Sequence, residues 1–534
     1  MEGMYLFISF DISSGFPYIE VTNCGETASY RLDWTKKKES SAGTGRDAGM
    51  QDRSDRMKQK GLEKFMKCDI VLRGGFLFDP ENGVKKETDI GILDGKIAAL
   101  DGPMSGAREW NLTGKTVLPG VIDMHVHVTQ ELGGPIGYYM AARSGVSTII
   151  DYAGPMDDIL EHAPKLGCGM NVGCLPAALP GFLGQDPSRE EVEGFLEDSL
   201  SKGALGLKIL GGHYPLTPDA SRRIVEACNE KQVFVAWHAG STENRSNIYG
   251  MKEAVECSEG FRLLMAHINA YCRGNCYSYL EELRDAFAML RDHPNIIADS
   301  HMAVSNGTNG FCEGNEVQDH ITQNCLRSFG YAADRQGLEK AIRDGVAGVI
   351  VQRGPENVIV FREEGLSCWQ EAGTALYVSF PANLPVSAAA CLLERRPGSR
   401  EFLIDLAATD GGGFPRNGLL KRLLAYYKLG YLSLEEVVYK CSIAPARVFA
   451  MPGKGHLGVG ADADLAAVDL STEETVLSFA AGRPVLEEGE VTGNGASLLI
   501  TPAGVTYAAK KKLSYQIVRP QDGWFYHAER GTGL

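Results

Sequence analysis

The sequence predicts an α/β fold: a (β/α)8 barrel of the TIM type inserted into a small split β-sandwich. Three observations predict it. From Val117 to Gly412 short apolar runs alternate with amphipathic ones, the rhythm of parallel strands and their crossover helices. On either side, from Cys68 to Leu112 and again after Ala446, the texture is short strands and turns. The apolar runs also end, one after another, in residues that titrate or bind metals; barrel strands present such residues at the face where active sites form.

The chain has 534 residues, room for a barrel of about 250 residues and a second domain. Against 68 Asp and Glu stand 53 Lys and Arg, a net charge of −15. That balance argues against a nucleic acid or a membrane surface as partner. A small anionic substrate stays open, because one local arginine can overrule net charge. No apolar run reaches about 18 residues, so no transmembrane helix is expected. The apolar patch Met1–Phe10 lacks the basic start and cleavage site of a signal peptide. The 13 cysteines are scattered, with Cys272 and Cys276 nearest to a motif. They read as reduced thiols of a cytoplasmic protein.

In chain order, residues 1–65 read as a disordered N-terminal extension. Arg31 to Lys64 is dense in charge, Ser and Gly with little apolar periodicity, and Met66 is a candidate initiator. Residues 66–116 form the first part of the β-sandwich. Within them Asp94-Gly95 stands between the apolar runs Asp89–Leu93 and Lys96–Leu100, a strong hairpin signal. The barrel spans 117–450. Its strands are Val121–His127, Thr148–Ala153, Asn171–Leu175, Gly206–Leu210, Val233–His238, Leu263–Ile268, Ile296–His301 and Ile404–Asp410. Amphipathic runs such as Arg189–Ser201, Asp219–Glu230, Tyr277–Arg291 and Leu419–Leu429 supply helices. The long insertion 302–403 contains the strand-like Asn357–Phe361 and Ala375–Ser379 and reads as a lid or binding loop. Residues 451–515 complete the β-sandwich, with late strands near Pro484–Leu486 and Leu498–Thr501. Residues 516–534 are a C-terminal tail.

Six of the eight strand ends carry a group of interest. The first ends in His125-Val-His127; alternation along a strand points both imidazoles the same way. Alone, such a pair more often marks satisfied core histidines. Lys208 on the fourth strand, His238, His267, His301 and Asp410 at later ends reverse that weighting. Imidazole nitrogen and carboxylate oxygen suit a borderline divalent cation such as zinc. An ammonium among cations would be repelled. Lys208 is therefore either a lysine paired with an acid or, after reaction with CO2, a carbamate whose oxygens bridge two metals.

The motifs Pro119-Gly-Val-Ile-Asp-Met-His-Val-His127, Gly206-Leu-Lys208, Trp237-His238, Ala266-His267, Thr409-Asp410-Gly-Gly and Ala444-Pro-Ala-Arg447 with Gly458–Leu465 carry a family resemblance. From about Cys68 to Leu470 the chain resembles the amidohydrolase superfamily, the group of dihydroorotase, hydantoinase, urease α-subunit, isoaspartyl dipeptidase and D-aminoacylase. The resemblance implies two divalent metal ions, zinc foremost, with nickel, manganese and iron open. It places His125, His127 and Asp410 on one ion, His238 and His267 on the other, and carboxylated Lys208 on both. D-aminoacylase instead bridges through a cysteine on an earlier strand, which makes Cys174 the rival to Lys208. It further implies hydrolysis of an amide-type C–N bond by water activated between the ions, with Asp410 as general base and then acid toward the leaving nitrogen.

Other residues keep two readings. His301 either stabilises charge at the reacting centre or is structural. His213, in Gly211-Gly-His-Tyr214, either touches substrate or is an exposed loop histidine. Arg273 either holds a substrate carboxylate in a bidentate pair or makes a surface salt bridge. Trp237 reads as core. His162, His293, His320, His456 and His527 read as structural or exposed. The expected activity is thus that of a cytoplasmic, binuclear hydrolase of a small-molecule amide. Its substrate would be a cyclic amide such as a hydantoin or dihydropyrimidine, or an N-acyl amino acid. A homo-oligomer is a further expectation from the resemblance. The competing readings are a deaminase of the same superfamily, which generally uses one metal and does not need the lysine, and an inactive scaffold relative, which would usually have lost ligands.

Overall fold

In the computed structural model, which describes residues 19–23, 26–30, 65–179 and 181–527, all eight apolar runs form strands. They are β1 (Val121–His127), β2 (Val146–Asp151), β3 (Asn171–Cys174), β4 (Gly206–Leu210), β5 (Phe234–His238), β6 (Leu263–Met265), β7 (Ile296–His301) and β8 (Leu406–Ala408). The fold is mixed α/β with parallel sheets. β1, β2 and β3 pair in parallel, with Gly411–Gly412 beyond β1. β4 through β8 pair in parallel in a second sheet. Every residue of β1, β2, β3, β4 and β7 is buried, which is why these runs are apolar on both faces. At one margin Leu205 N donates to Cys174 O at 2.9 Å and Lys208 N to Pro176 O at 2.9 Å. At the other, Asp410 N donates to His125 O at 2.9 Å and Gly413 N to His127 O at 2.8 Å.

The helices start where the sequence caps them. Ser188 and Glu191 form a capping box ahead of Arg189–Ser201, and Thr217 accepts from Ala220 N ahead of Pro218–Glu230. Their apolar faces, with Val192, Leu196, Ile224 and Val225, are buried in the core that the parallel strands share. Among the described residues no helix is long and apolar enough to cross a membrane.

A nine-stranded, largely antiparallel sheet draws on both flanks. Leu465–Asp469 runs antiparallel to Thr116–Pro119, which pairs in turn with Met66–Asp79. The Asp94-Gly95 turn takes positive φ at both residues, 51° and 73°, as the hairpin signal requires. Ile70, Ile90, Val117, Leu465 and Phe479 pack within this sheet's own core. At its junction with the parallel strands, buried Lys454 donates to Asp462 at 2.9 Å and to Asp464 at 2.8 Å. Asp464 also accepts from Asn171 Nδ2 at 2.7 Å.

Three expectations change. Ser497–Ile500, which the sequence assigns to the β-sandwich, pairs in parallel with Asn171 and Val172 of β3, and Tyr515–Ile517 pairs with it in turn. The C-terminal tail, which the sequence assigns to neither domain, packs on the parallel strands over its described part: Phe525 is fully buried against Phe234 of β5. The insertion is more than two strands. Its described residues fold a four-stranded sheet, Thr308–Asn309, Tyr377–Ser379, Gly348–Arg353 and Glu356–Val360, and a two-stranded one, Cys312–Glu313 with Glu316–Val317, with helices such as Arg335–Asp344 and Arg362–Glu371 around a core of Trp369, Phe380 and Leu338. The reading of residues 1–65 as disordered falls largely outside the described residues. Within that span Ile19–Asn23 and Glu26–Tyr30 pair as an antiparallel hairpin.

Candidate metal centre

β1 carries His125 and His127 with their rings 5.4 Å apart, centre to centre. Just past β8, Asp410 turns its carboxylate toward them. Its Oδ1 lies 2.9 Å from His127 Nε2 and 3.5 Å from His125 Nε2. These three residues each offer a ligand atom within 4.8 Å of the other two. The backbone at Asp410 is left-handed, with φ 52°, and so is that at His267, with φ 35°. Non-glycine residues adopt such angles at a cost of about 1–3 kcal/mol, and they cluster at functional sites.

The remaining strand ends converge on the same space. The His267 ring lies 5.4 Å from that of His125, and the His238 ring is 4.4 Å from that of His267, edge-on. Tyr152 stacks on His125 at 4.2 Å, and Lys208 Nζ sits 4.6 Å above the Tyr152 ring. Lys208 is fully buried and its Nζ has no hydrogen-bond partner among the described residues. Burial pushes its amine down to about 7, against the pull of Asp299 and Asp410. Buried nitrogens that lack partners also occur at His125 Nδ1, His127 Nδ1 and His267 Nδ1. Native interiors rarely leave such groups unpaired. This donor set, imidazoles and a carboxylate around an unpaired lysine, fits a centre for divalent cations.

Burial holds His125, His238 and His267 well below the usual imidazole range, so all three are neutral and keep a lone pair for a ligand bond. Burial opposes ionisation of Asp410. Arg416, and after it His127 and His125, overcome that penalty and hold its carboxyl well below the usual range. Arg416 Nη2 donates to Asp410 Oδ2 at 2.7 Å, and its Nε donates to the Asp410 carbonyl.

His301 is buried, and its Nδ1 accepts from Ala303 N at 3.1 Å. The ring proton therefore belongs on Nε2, which faces Asp410 Oδ2 at 3.9 Å. Burial lowers this imidazole to about 3. His213 is half-buried with its ring 5.5 Å from that of His238, so it is not an exposed loop histidine. Among the described residues Arg273 makes no salt bridge either. Its Nε donates to Asn383 Oδ1 at 2.8 Å, and burial lowers its guanidinium from the usual value. The buried Cys174 thiol donates to Asp151 Oδ1 at 3.8 Å. Trp237 is core. His320, read as structural or exposed, meets the loop after β4 through Gly212 O at 3.1 Å.

Four contributors escaped the sequence. Arg416 lies in an irregular glycine-rich turn. Tyr152 follows β2, and Ser246 bonds His238 Nε2 at 2.8 Å from a loop. Asp299 on β7 was within reach of the alternation rule, two residues before His301. Its Oδ1 accepts from His267 N at 2.9 Å, and its Oδ2 lies 3.5 Å from His125 Nδ1.

Comparison with known proteins bears on this arrangement. The chain is 23% identical over 501 residues to the allantoinase of Deinococcus radiodurans, covering 82% of this chain and 99% of that one. It is 22% identical over 510 residues to the D-aminoacylase of Alcaligenes xylosoxydans xylosoxydans, covering 83% and 99%. Among solved structures, N-acyl-D-glutamate deacylase of Bordetella bronchiseptica, complexed with zinc and a phosphonate inhibitor, superposes with a TM-score of 0.59 at 14% identity. That match covers 81% of this chain and 99% of the deacylase. A D-hydantoinase superposes with a TM-score of 0.52 at 17% identity, covering 80% and 98%. The model of the amidohydrolase family matches residues 116–496, and the chain belongs to that family, as a hydrolase of carbon–nitrogen bonds other than peptide bonds.

Proposed function

We propose that the chain hydrolyses an amide-type C–N bond at a two-ion centre, on a cyclic amide such as a hydantoin or on an N-acyl amino acid. The parallel strands β1–β8 are read as a (β/α)8 barrel carried between two parts of a β-sandwich; the hydrogen bonds at both sheet margins support that reading. His125, His127 and Asp410 would hold one ion, His238 and His267 the other, and Lys208, as a carbamate, both. The observation that carries the proposal is the three-ligand cluster of His125, His127 and Asp410, with the His267 and His238 rings next to it and a buried Lys208 Nζ that has no hydrogen-bond partner among the described residues. An unpaired buried ammonium is costly, and a carbamate removes the positive charge.

Bound divalent ions supply acidification of water and polarisation of the scissile carbonyl. The chain's own groups do the rest. Asp410 is ionised and takes the proton of the attacking water, then delivers it to the leaving nitrogen, which departs poorly until protonated. His301 presents Nε2–H toward that carboxylate and can donate to the oxygen on which charge develops. Arg273 and His213 stand on the loops after β6 and β4, where they would contact substrate. The test is metal analysis of the wild-type chain and of Lys208→Ala. About two ions per chain are expected, falling in the variant and partly restored by short carboxylic acids. Alongside it runs a metal-loaded screen of hydantoins, dihydropyrimidines and N-acyl amino acids. A metal-free chain of unchanged stability would sink the proposal.

A further inference from the structure

Three carbonyl oxygens of the loop leaving β7 are each held by a side chain. Arg422 Nη1 donates to Met302 O at 2.9 Å, Asn383 Nδ2 to Ala303 O at 3.1 Å and Arg416 Nη1 to Ser305 O at 3.1 Å. Of these three side chains, Arg416 is the one that also reaches Asp410. Nη2 takes the Oδ2 atom and Nε the backbone carbonyl of Asp410. The guanidinium thus uses all three nitrogens to tie one residue to the root of the insertion.

We propose that Arg416 is a positioning residue: it reserves Oδ2 of Asp410, so that Oδ1 alone faces His125 and His127. A carboxylate turns easily about its last torsion, because that well is broad. Left free, Asp410 could place either oxygen, or both, on a bound ion. The rigid fork of the guanidinium removes that freedom through two donors on one residue. A lysine cannot reproduce it, since a single ammonium cannot span Oδ2, the Asp410 carbonyl and Ser305 O together. Arg416 is buried, with its charge facing Asp410. The assignment rests on reading His125, His127 and Asp410 as ligands.

The experiment compares the full-length wild type with Arg416→Ala, Arg416→Lys and Arg422→Ala, each loaded with cobalt(II). Its visible absorption reports ligand number and geometry. Arg422→Ala removes a clamp from the same loop without touching Asp410, and so isolates a purely structural effect. Arg416→Ala is expected to shift the cobalt bands and to weaken cobalt binding by about 10–100-fold, with partial recovery in methylguanidinium. Arg416→Lys is expected to keep the altered spectrum. Arg422→Ala is expected to keep wild-type bands with a lower melting temperature. Cobalt bands and affinity in Arg416→Ala that match those of Arg422→Ala would overturn the assignment. Should the alanine variant not fold, the lysine variant decides, and a wild-type spectrum there overturns it equally. A wild-type chain that binds no cobalt overturns the ligand reading itself, and the assignment falls with it.

Discussion

Asp299→Asn should separate metal binding from folding. The carboxylate of Asp299 serves two partners: Oδ1 accepts from His267 N at 2.9 Å, and Oδ2 stands 3.5 Å from His125 Nδ1. Closing the second contact by about 0.5 Å would make it a hydrogen bond. The ring proton of His125 would then sit on Nδ1 and leave the Nε2 lone pair facing Asp410. Asparagine keeps the shape and changes the donor pattern. The His267 N–H can only donate, so it retains the amide oxygen, and the amide NH2 turns to His125. Nδ1 must then accept, the ring proton moves to Nε2, and Nε2 loses its lone pair for a cation. Partners of this kind typically contribute about 10–100-fold in metal affinity, or about 1.4–2.8 kcal/mol. The ion-free chain should not weaken, because burial already raises the Asp299 carboxyl to about 6 and the amide is neutral throughout. Asp299→Ala should differ: it strips the buried His267 N–H of its acceptor, at about 1–3 kcal/mol of stability. Zinc competition against a chromophoric chelator, with thermal melts of the ion-free proteins, measures both quantities. Zinc affinity of Asp299→Asn within about two-fold of wild type, against the 10-fold floor expected, would refute the reasoning. So would a loss of melting temperature equal to that of Asp299→Ala.

Other perturbations have equally definite outcomes. A Cβ at Gly212 would lie 2.2 Å from His238 Nε2, where real Cβ contacts essentially never fall below 3.0 Å. Gly212→Ala should therefore displace that imidazole at about 1–3 kcal/mol and leave one ion where the proposed centre calls for two. Unchanged zinc stoichiometry would count against His238 as a ligand. At the junction of the sheets, Lys454→Met would leave Asp464 buried without its cation and Asp462 with Lys96 alone. A loss of about 3–5 kcal/mol at pH 7 is expected by urea denaturation, and a loss below about 1 kcal/mol, the range of an exposed pair, would show the pair to be solvated. The same residues fix an acid limb. Burial opposes ionisation of Asp462, but Lys454 and Lys96 hold its carboxyl below the usual range. As pH falls through about 4 the unfolded chain binds its proton first, so stability is present above that pH and lost below it. Lys454→Met should flatten this limb.

The parallel strands were legible because each is short, apolar on both faces and bounded by a turn; Val121–His127 keeps its sequence-read limits in the structure. β6 stops at Met265 rather than Ile268, since the backbone turns left-handed at His267 to aim its ring inward. The ligand candidates at strand ends were legible for the same reason: their place follows from the strand. Arg416 was not, because the turn Gly411-Gly-Gly-Phe-Pro has no period and its reach back to Asp410 is a property of the fold. Ser497–Ile500 was misassigned because an apolar run states that it will be buried, without stating beside which edge. His320 and Asn383 bond Gly212 and Arg273 from within the insertion, where local sequence marks neither.

The placement of Ser497–Ile500 beside β3 has a consequence for how the molecule is made. Thr501 Oγ1 donates to Ala204 O at 3.1 Å, so this late segment is lodged next to the start of β4, the strand of Lys208. Leu465–Asp469 likewise returns to Thr116–Pro119, just ahead of β1. Pairings between residues so far apart in sequence carry a large loop-closure cost and form slowly. A nascent chain synthesised from its N-terminus holds all the candidate ligands once Asp410 has been added, yet the N-terminal half of β3, at Asn171 and Val172, still has an open edge. That edge is a template for another strand until Ile500 has emerged. The chain is therefore most exposed to mispairing during the interval in which residues 411–500 are being made.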